Sequence, residues 1–285
     1  MAKSTFDAFL DAADIRGRTF IRHVELHDTL ASTNDRAIEL SRDREIKLPA
    51  LIATREQTAG RGRGSNQWHS TAGALTFSVL FEPTAFGITP DAWPKLSLTT
   101  AVAVCDALSA ELSPQSAIRN PKSPTLAIKW PNDIVLNDAK VCGILIESPG
   151  GAAPAKDRLV IGIGINANNS WSNTPPAARG LAKKATAPLP PTALCDLTGH
   201  RHDLQHVLCE TLRSLEVRNS QLATSDPQLP VEWKRRSWLT RQHIEVNSNG
   251  EWIQGVCLGI ESDGSLLVEN TDGTHRIRSG SVRVI

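Results

Sequence analysis

The chain is organised around residues 57–68, which read QTAGRGRGSNQW and place Arg61 and Arg63 on alternate positions among three glycines. Glycine carries no Cβ, so such a loop can bring backbone N–H groups and guanidinium groups close to an anion. The loop lacks the Lys-Ser/Thr pair of a Walker A motif and the spacing of a dinucleotide fingerprint. Its composition predicts a phosphate-binding loop, although a solvated Gly/Arg turn would have the same composition.

A second informative stretch begins with KWPND at Lys129, which ends the short apolar run of residues 126–128. A polar turn follows at residues 137–138, and residues 141–147 then read VCGILIE. Two apolar runs on either side of a polar turn predict a β-hairpin. Short polar side chains within KWPND are expected to fix a turn by hydrogen bonding to their own backbone.

Length and charge describe an ordinary globular protein. The chain has 285 residues, of which 40% are hydrophobic, so it can bury a substantial core. Its formal net charge is +1, from 31 basic and 30 acidic residues. Because a DNA-binding surface needs an excess of positive charge, we expect no nucleic-acid partner.

The cysteines indicate a reducing compartment. They are odd in number, widely spaced and placed mainly inside apolar segments, and the chain contains no C-x-x-C pair that would bind a metal. The N-terminus has no apolar signal segment, and no uncharged apolar run reaches about 18 residues. We therefore expect a cytoplasmic protein with no membrane association and no permanently bound metal.

Apolar patterning up to residue 238 indicates both strands and helices. Residues 20–26 alternate apolar and polar positions, residues 158–166 form a near-continuous apolar run, and residues 98–108 carry apolar side chains at helical spacing. These patterns predict an α+β fold, with a mixed β-sheet flanked by helices over residues 1–238.

The pattern changes beyond Trp238 to short alternating segments. Asp-Gly pairs at residues 263–264 and 272–273 are typical of hairpin turns between such segments. We predict a small C-terminal β-barrel domain over residues 239–285.

The two motifs occur together with a Ser-Thr-Asn turn at residues 32–34 and a GIGIN strand end at residues 162–166. In this order the sequence resembles the biotin protein ligases, which adenylate biotin and transfer it to a lysine of a carrier protein. The resemblance runs from Ile21 to the C-terminus. It implies a catalytic domain like those of class II aminoacyl-tRNA synthetases and lipoate ligases.

The resemblance also implies substrates and partners. ATP and biotin would be substrates, Mg²⁺ would accompany ATP, and the acceptor would be the biotin carboxyl carrier protein domain of a carboxylase. A homodimer is compatible with the family. Residues 1–19 are too few for the winged helix-turn-helix domain that some members carry, so we expect a monofunctional enzyme without a DNA-binding domain.

Family roles can be carried over to matching positions. Lys129 would bridge the biotin carboxylate and the α-phosphate, Arg63 would contact the phosphate of the adenylate, and Arg61 would belong to the loop that covers biotin. These three are the predicted catalytic residues. The predicted biotin contacts are Ser32, Thr33, Asn34, Gln57, Gly60, Arg61, Lys129 and Gly143. The predicted nucleotide contacts are Arg63, Trp68, Lys129 and Asn166.

Structural roles remain open for several of these residues. Ser32 and Asn34 could cap a helix, Trp68 could be core packing, and Lys129 could be a strand-end lysine whose stem lies on apolar surface. The sequence identifies no general base for the incoming amine, although Asp133 remains possible. The loop also departs from many bacterial members, which have further basic residues where this chain has Gly-Ser-Asn-Gln at 64–67.

Two other functions fit the same features. A lipoate or octanoate ligase or transferase shares the fold and the transfer of an acyl group to lysine. A catalytically inactive module that only binds biotin is the alternative outside the enzymes. The conjunction of two loop arginines and a hairpin lysine favours a ligase over such a module.

Overall fold

A computed structural model describes residues 10–112, 124–171, 189–248 and 250–285. Its larger sheet has seven strands: β1 (His23–Leu30), β2 (Ala50–Gln57), β3 (Leu75–Phe81), β4 (Leu126–Lys129), β5 (Asp133–Leu136), β6 (Ala139–Glu147) and β7 (Leu159–Ile165). The strand order is β1-β2-β3-β7-β6-β5-β4. The β1–β2 pair is parallel and the other pairs are antiparallel, which confirms the predicted mixed sheet.

Helices cover both faces of this sheet. They are α1 (Ala12–Arg18), α2 (Thr33–Leu40), α3 (Leu96–Glu111), α4 (Leu194–Thr198), α5 (Leu204–Ala223) and α6 (Gln228–Arg236). The α3 helix is apolar almost all round and packs between the sheet and α5, as expected for a fully buried helix. The alternation of side chains along β2, β3 and β7 sends one set of residues to this main core and the other set to α2.

The face of the sheet toward α2 is only partly covered. Ala37 of α2 packs on Ile52, Leu80 and Val160 at one end of the strands. Further along the same face the sheet residues become small or polar, so an apolar helix cannot be packed there. The functional site lies over this uncovered part.

The second sheet is formed by β8 (His243–Ser248), β9 (Glu251–Ile260), β10 (Leu266–Asn270), β11 (Gly273–Ile277) and β12 (Ser281–Val284). It is antiparallel with strand order β11-β10-β9-β8-β12, consistent with a small C-terminal domain. No hydrogen-bonded ladder joins β11 to β12 within the described ranges, so the sheet is open along those edges.

The small sheet is docked on the part of the chain that contains the larger sheet. Trp130 of the KWPND motif donates its indole N–H to the carbonyl of Gly264 at 3.1 Å. Buried residues of the two sheets belong to one continuous core, to which Ile244 and Leu266 contribute from the small sheet. The division at residues 238 and 239 stays a prediction.

Candidate active site

Glycines form the floor of an open cavity of about 650 Å³ on the α2 face. One row of paired residues crosses the strands from Thr76 through Gly164 and Gly143 to Asp133. A neighbouring row contains Gly162. Because glycine has no side chain, other groups can approach this backbone closely, and the side chains of Trp68 and Asn34 do so.

The N-terminus of α2 supplies a polar wall at one end of the cavity. Ser32 caps the helix by accepting a hydrogen bond from the N–H of Asp35 at 3.3 Å, so its predicted capping role is present. The N–H of Thr33 donates to the side-chain oxygen of Gln57 at 2.8 Å. Asn34 lies directly over Gly162, where a Cβ would come within 2.1 Å of its Oδ1. All three helix residues line the cavity together with Gln57.

The Gly/Arg loop closes on itself as a small hairpin beside the floor. The N–H of Trp68 donates to the carbonyl of Gly60 at 3.0 Å, and the N–H of Gly62 donates to Asn66 at 2.8 Å. A Cβ on Gly60 would lie 2.3 Å from the carbonyl oxygen of Trp68, so this position requires glycine. Gly60 itself is not among the residues that line the cavity in the described chain.

The indole of Trp68 lies flat against the floor. A Cβ added to Gly164 would be 2.3 Å from its Cε2 atom, and the Lys140 ammonium lies 5.8 Å from the ring centroid. The indole N–H is buried and has no hydrogen-bond partner among the described residues. Trp68 therefore lines the cavity, with its indole N–H covered by the backbone of the floor.

The two loop arginines line the cavity but differ in their partners. Arg61 donates two parallel hydrogen bonds to Glu147 and a third to Asp35. These contacts, with that to Glu147 the larger, raise the pKa of the Arg61 guanidinium. Arg63 donates to the carbonyl of Gly280 in the small sheet. Arg61 is thus held by carboxylates, whereas Arg63 has only a neutral acceptor and keeps its charge available for an anion.

A β-bulge brings Lys140 into the cavity. The pairing register between β5 and β6 shifts by one residue, which leaves Val141 without a partner on β5. In a regular strand Lys140 would face away from Gly143, because successive side chains alternate. The bulge returns Lys140 to the same face, and its Nζ pairs with Asp133 Oδ1 at 2.6 Å. Lys140 and Asp133 both line the cavity.

Lys129, which the sequence predicts to bridge the two substrates, does not line the cavity in the described structure. It pairs with Asp133 in the β4–β5 ladder, on the edge strand, one strand beyond the last one that lines the cavity. Burial lowers the pKa of the Lys129 amine, Asp133 raises it, and the neighbouring charge of Lys140 lowers it further. The hairpin lysine at the cavity is therefore Lys140, which sequence reasoning missed.

Asn166 also lies outside the cavity lining. Its side chain is buried, and its Oδ1 accepts a hydrogen bond from Asn169 at 2.9 Å. Its backbone carbonyl accepts from the N–H of Leu194 at 3.0 Å. In this arrangement Asn166 joins the end of β7 to the start of α4, and a contact with adenine would need its side chain to turn.

No group of three or more His, Cys, Asp or Glu residues suited to hold a metal is found in the described residues. Within the same ranges, no helix is both long and apolar enough to cross a membrane. The five cysteines are free thiols, and four of them are buried. The cavity thus combines a polar wall, a glycine floor and three cations, Arg61, Arg63 and Lys140. It suits an elongated ligand with a polar head and an anionic end.

Comparison with known proteins identifies relatives of this chain by sequence. Residues 26–166 match the model of the biotin/lipoate A/B protein ligase family. A biotin--[acetyl-CoA-carboxylase] ligase of Paracoccus denitrificans is 30% identical over 88% of this chain and 96% of its own length. A bifunctional ligase/repressor of Bacillus subtilis is 29% identical over 92% of this chain and 74% of its own length.

The fold matches as well. A biotin protein ligase from Aquifex aeolicus, solved in complex with biotin and ATP, superposes with a TM-score of 0.72 and covers 93% of this chain and 100% of its own. At 23% identity this likeness shows the fold alone. The sequence relatives and the family model together show that the chain belongs to the biotin/lipoate A/B protein ligase family, among its biotin ligases.

Proposed function

We propose that this protein joins biotin to ATP to form biotinoyl-5'-AMP and then transfers the biotinoyl group to a lysine of a biotin carboxyl carrier protein. The observation that carries the proposal is the glycine floor with Arg63 and Lys140 beside it, in a chain whose relatives are biotin ligases. The roles below are assigned from the contacts of each side chain in the described structure.

Biotin is an elongated molecule with a polar ureido ring and a flexible acid tail. The ureido ring is assigned to the polar wall, where Ser32, Thr33 and Asn34 offer buried donors and acceptors. Gln57 keeps this wall in place through its bond to Thr33. The apolar part of the ring system would lie on the glycine floor once the Trp68 indole has moved off Gly143 and Gly164, and the tail would point toward Lys140.

The activation step is a displacement at the α-phosphorus of ATP. A biotin carboxylate oxygen forms a bond to phosphorus, and the bond to the bridging oxygen of pyrophosphate breaks with its electron pair. The carboxylate and the triphosphate repel each other, so fixed cations are needed to bring them together. Lys140 is assigned to the carboxylate and α-phosphate, and Arg63, released from Gly280, to the phosphate of the adenylate.

The nucleotide base is assigned to the side of Trp68. Its unpaired indole N–H and flat ring suit contact with a heteroaromatic ligand. Asn166 stays a proposed adenine contact that depends on its release from Asn169. Mg²⁺ would be held mainly by phosphate oxygens, because Asp133 is the single carboxylate among the described lining residues and it is paired with Lys140.

Transfer follows when the lysine amine of the carrier attacks the acyl carbon and AMP leaves with the electron pair of the broken C–O bond. The attacking amine must lose a proton. Asp133 is the carboxylate at hand once Lys140 has turned to the ligand, so it is assigned as the candidate acceptor of that proton. The carrier is proposed to belong to a biotin-dependent carboxylase. A cytoplasmic location and a homodimer are further proposals that follow from the free thiols and the family.

The test is transfer to a purified carrier domain, measured by intact-protein mass spectrometry. Biotin with ATP is expected to label the carrier, whereas a carrier whose acceptor lysine is replaced by arginine is expected to stay unlabelled. Lipoate or octanoate with ATP in parallel tests the other members of the family. Labelling by lipoate but not biotin would overturn the substrate assignment, and absence of biotin-dependent ATP–pyrophosphate exchange would favour a binding module without activity.

A further inference from the structure

The mouth of the cavity is crossed by an ion-pair network that the reaction above does not use. Arg61 Nη1 and Nη2 donate to the two carboxylate oxygens of Glu147, each at 2.7 Å. Arg61 Nη2 also donates to Asp35 Oδ1 at 2.7 Å. Two parallel bonds to one carboxylate are the strongest geometry available to arginine, and they fix direction as well as distance. We call these three residues the clamp.

The clamp joins three separate elements. Arg61 lies in the Gly/Arg loop, Asp35 in the first turn of α2, and Glu147 at the end of β6. Other contacts hold the base of the loop: the N–H groups of Thr58 and Ala59 donate to Leu30 and Ala31, and the Trp68 indole packs on the floor. The clamp adds ion pairs from Arg61 to α2 and to β6.

The clamp is also connected to the floor. Glu147 Oε2 accepts a hydrogen bond from Asn34 Nδ2 at 2.8 Å. Asn34 Oδ1 in turn accepts from the hydroxyl of Ser78 at 2.6 Å, and Asn34 lies over Gly162. A ligand that fixes the Asn34 side chain therefore fixes the carboxylate that holds the loop.

Exposure shows that the clamp can open. The side chains of Arg61, Asp35 and Glu147 are 39%, 48% and 23% exposed. Ion pairs with this much access to water contribute modestly to stability, so opening needs no large input of free energy. A closed loop that opens readily suits a site that must admit substrates and then hold a reactive intermediate.

We propose that Arg61 is a positioning residue whose clamp on Glu147 and Asp35 keeps the loop shut over the acyl-adenylate. The clamp then sets how often this intermediate escapes before the carrier lysine attacks it. This inference rests on the proposed function for the identity of the intermediate. Arg61, held in this way, acts through the loop, and Arg63 is the loop cation that contacts phosphate.

The first test of the clamp needs no substrate. Trypsin cleaves after arginine, and the Arg63–Gly64 bond reports on opening of the loop in the ligand-free protein. Glu147→Gln is expected to speed cleavage there about three- to tenfold, the range of a partly exposed bidentate ion pair. Asp35→Asn, which removes a single contact, is expected to have a smaller effect.

A matched control comes from the same helix. Glu39 is 63% exposed and pairs with Arg36 at 3.1 Å, away from the loop. Glu39→Gln removes a surface ion pair of similar kind and is expected to leave cleavage at Arg63 unchanged. Combining Arg61→Ala with Glu147→Gln is expected to be no worse than Arg61→Ala alone, since both changes break the same contact.

The second test follows the intermediate. Biotinoyl-AMP is formed on the enzyme without carrier, and its release is measured by rapid filtration. Release is expected to rise about three- to tenfold in Glu147→Gln, and labelling of bystander lysines on albumin is expected to rise with it. Failure of the parent protein to form adenylate would refute the proposed function. Adenylate formation with unchanged release and unchanged trypsin cleavage in Glu147→Gln would instead refute the clamp.

Discussion

Lys129 on β4 and Lys140 on β6 lie on either side of Asp133 on β5, and the activation step is assigned to Lys140 alone. Replacement of Lys140 by alanine is expected to abolish most biotin-dependent ATP–pyrophosphate exchange. Replacement of Lys129 by methionine keeps the apolar stem on the edge strand and is expected to change the exchange rate by less than about threefold, the size of a screened surface charge effect.

The magnitude has two parts. A hydrogen bond to a charged partner contributes about 1.5–3 kcal/mol, which corresponds to roughly ten- to hundredfold. Lys140→Ala also removes the cation that pairs with Asp133 at 2.6 Å, so this carboxylate, with Lys129 still near it, faces two anionic substrates. Like charges about 4 Å apart repel by about 4 kcal/mol at an effective dielectric constant of about 20, and partial exposure of Asp133 reduces this. We therefore expect a loss of about hundredfold or more in kcat/KM for biotin.

The repulsion from Asp133 can be measured separately from the loss of the Lys140 hydrogen bond. In the double variant Lys140→Ala with Asp133→Asn the uncompensated charge is gone, so exchange is expected to recover part of the loss. Thermal unfolding of each variant shows whether the fold is kept. A folded Lys129→Met variant without exchange, beside a Lys140→Ala variant at near-parental rate, would refute the reasoning from the bulge.

Three further changes test other parts of the account. Arg63→Ala removes a charge-assisted phosphate contact, so retention of biotinoyl-AMP is expected to weaken about ten- to hundredfold, measured by its release rate without carrier; unchanged release would contradict the assignment. Gly164→Ala places a Cβ 2.3 Å from the Trp68 indole, so the ring must move; ATP and biotin affinities are expected to fall while the protein stays folded, as checked by calorimetry. Arg36 holds the pKa of Glu25 at about 2, below its ordinary 4.5, so this carboxylate stabilises the fold above pH 4.5 and less as pH falls toward 2. Glu25→Gln is therefore expected to flatten the dependence of the unfolding free energy on pH in that window. The same pH dependence in Glu25→Gln and the parent protein would contradict this role of Glu25.

The sequence predicts the parts of the site that depend on local composition. The Gly/Arg loop can fold beside the cavity because its glycines permit close contacts such as that at Gly60. The alternation of glycine and arginine along the sequence is enough to predict this loop. The polar turn at residues 32–34 is placed by helix capping, which local sequence also encodes. Apolar runs that are buried on both faces indicate interior strands such as β7, but they do not encode which neighbours are parallel.

The sequence pointed to Lys129, whereas the structure puts Lys140 at the cavity, because strand alternation does not reveal a bulge. Counted from Gly143, a regular strand turns Lys140 away from the cavity, whereas the conspicuous KWPND motif draws attention to Lys129. The signal that could have identified Lys140 is its position as a lone cation three residues before Gly143 on the strand that leads into the floor. The role of Glu147 was hidden for another reason, since its partner Arg61 is distant in sequence and only the fold brings them together.

The most direct measurement is a crystal structure of the protein with biotin and a non-hydrolysable ATP analogue. We expect the Trp68 indole to move off Gly143 and Gly164 and biotin to take its place, with the biotin carboxylate within hydrogen-bond distance of Lys140 Nζ and with Arg63 moved from Gly280 to the phosphate. A complex in which the biotin carboxylate contacts Lys129, or in which the ligands bind away from the glycine floor, would contradict it.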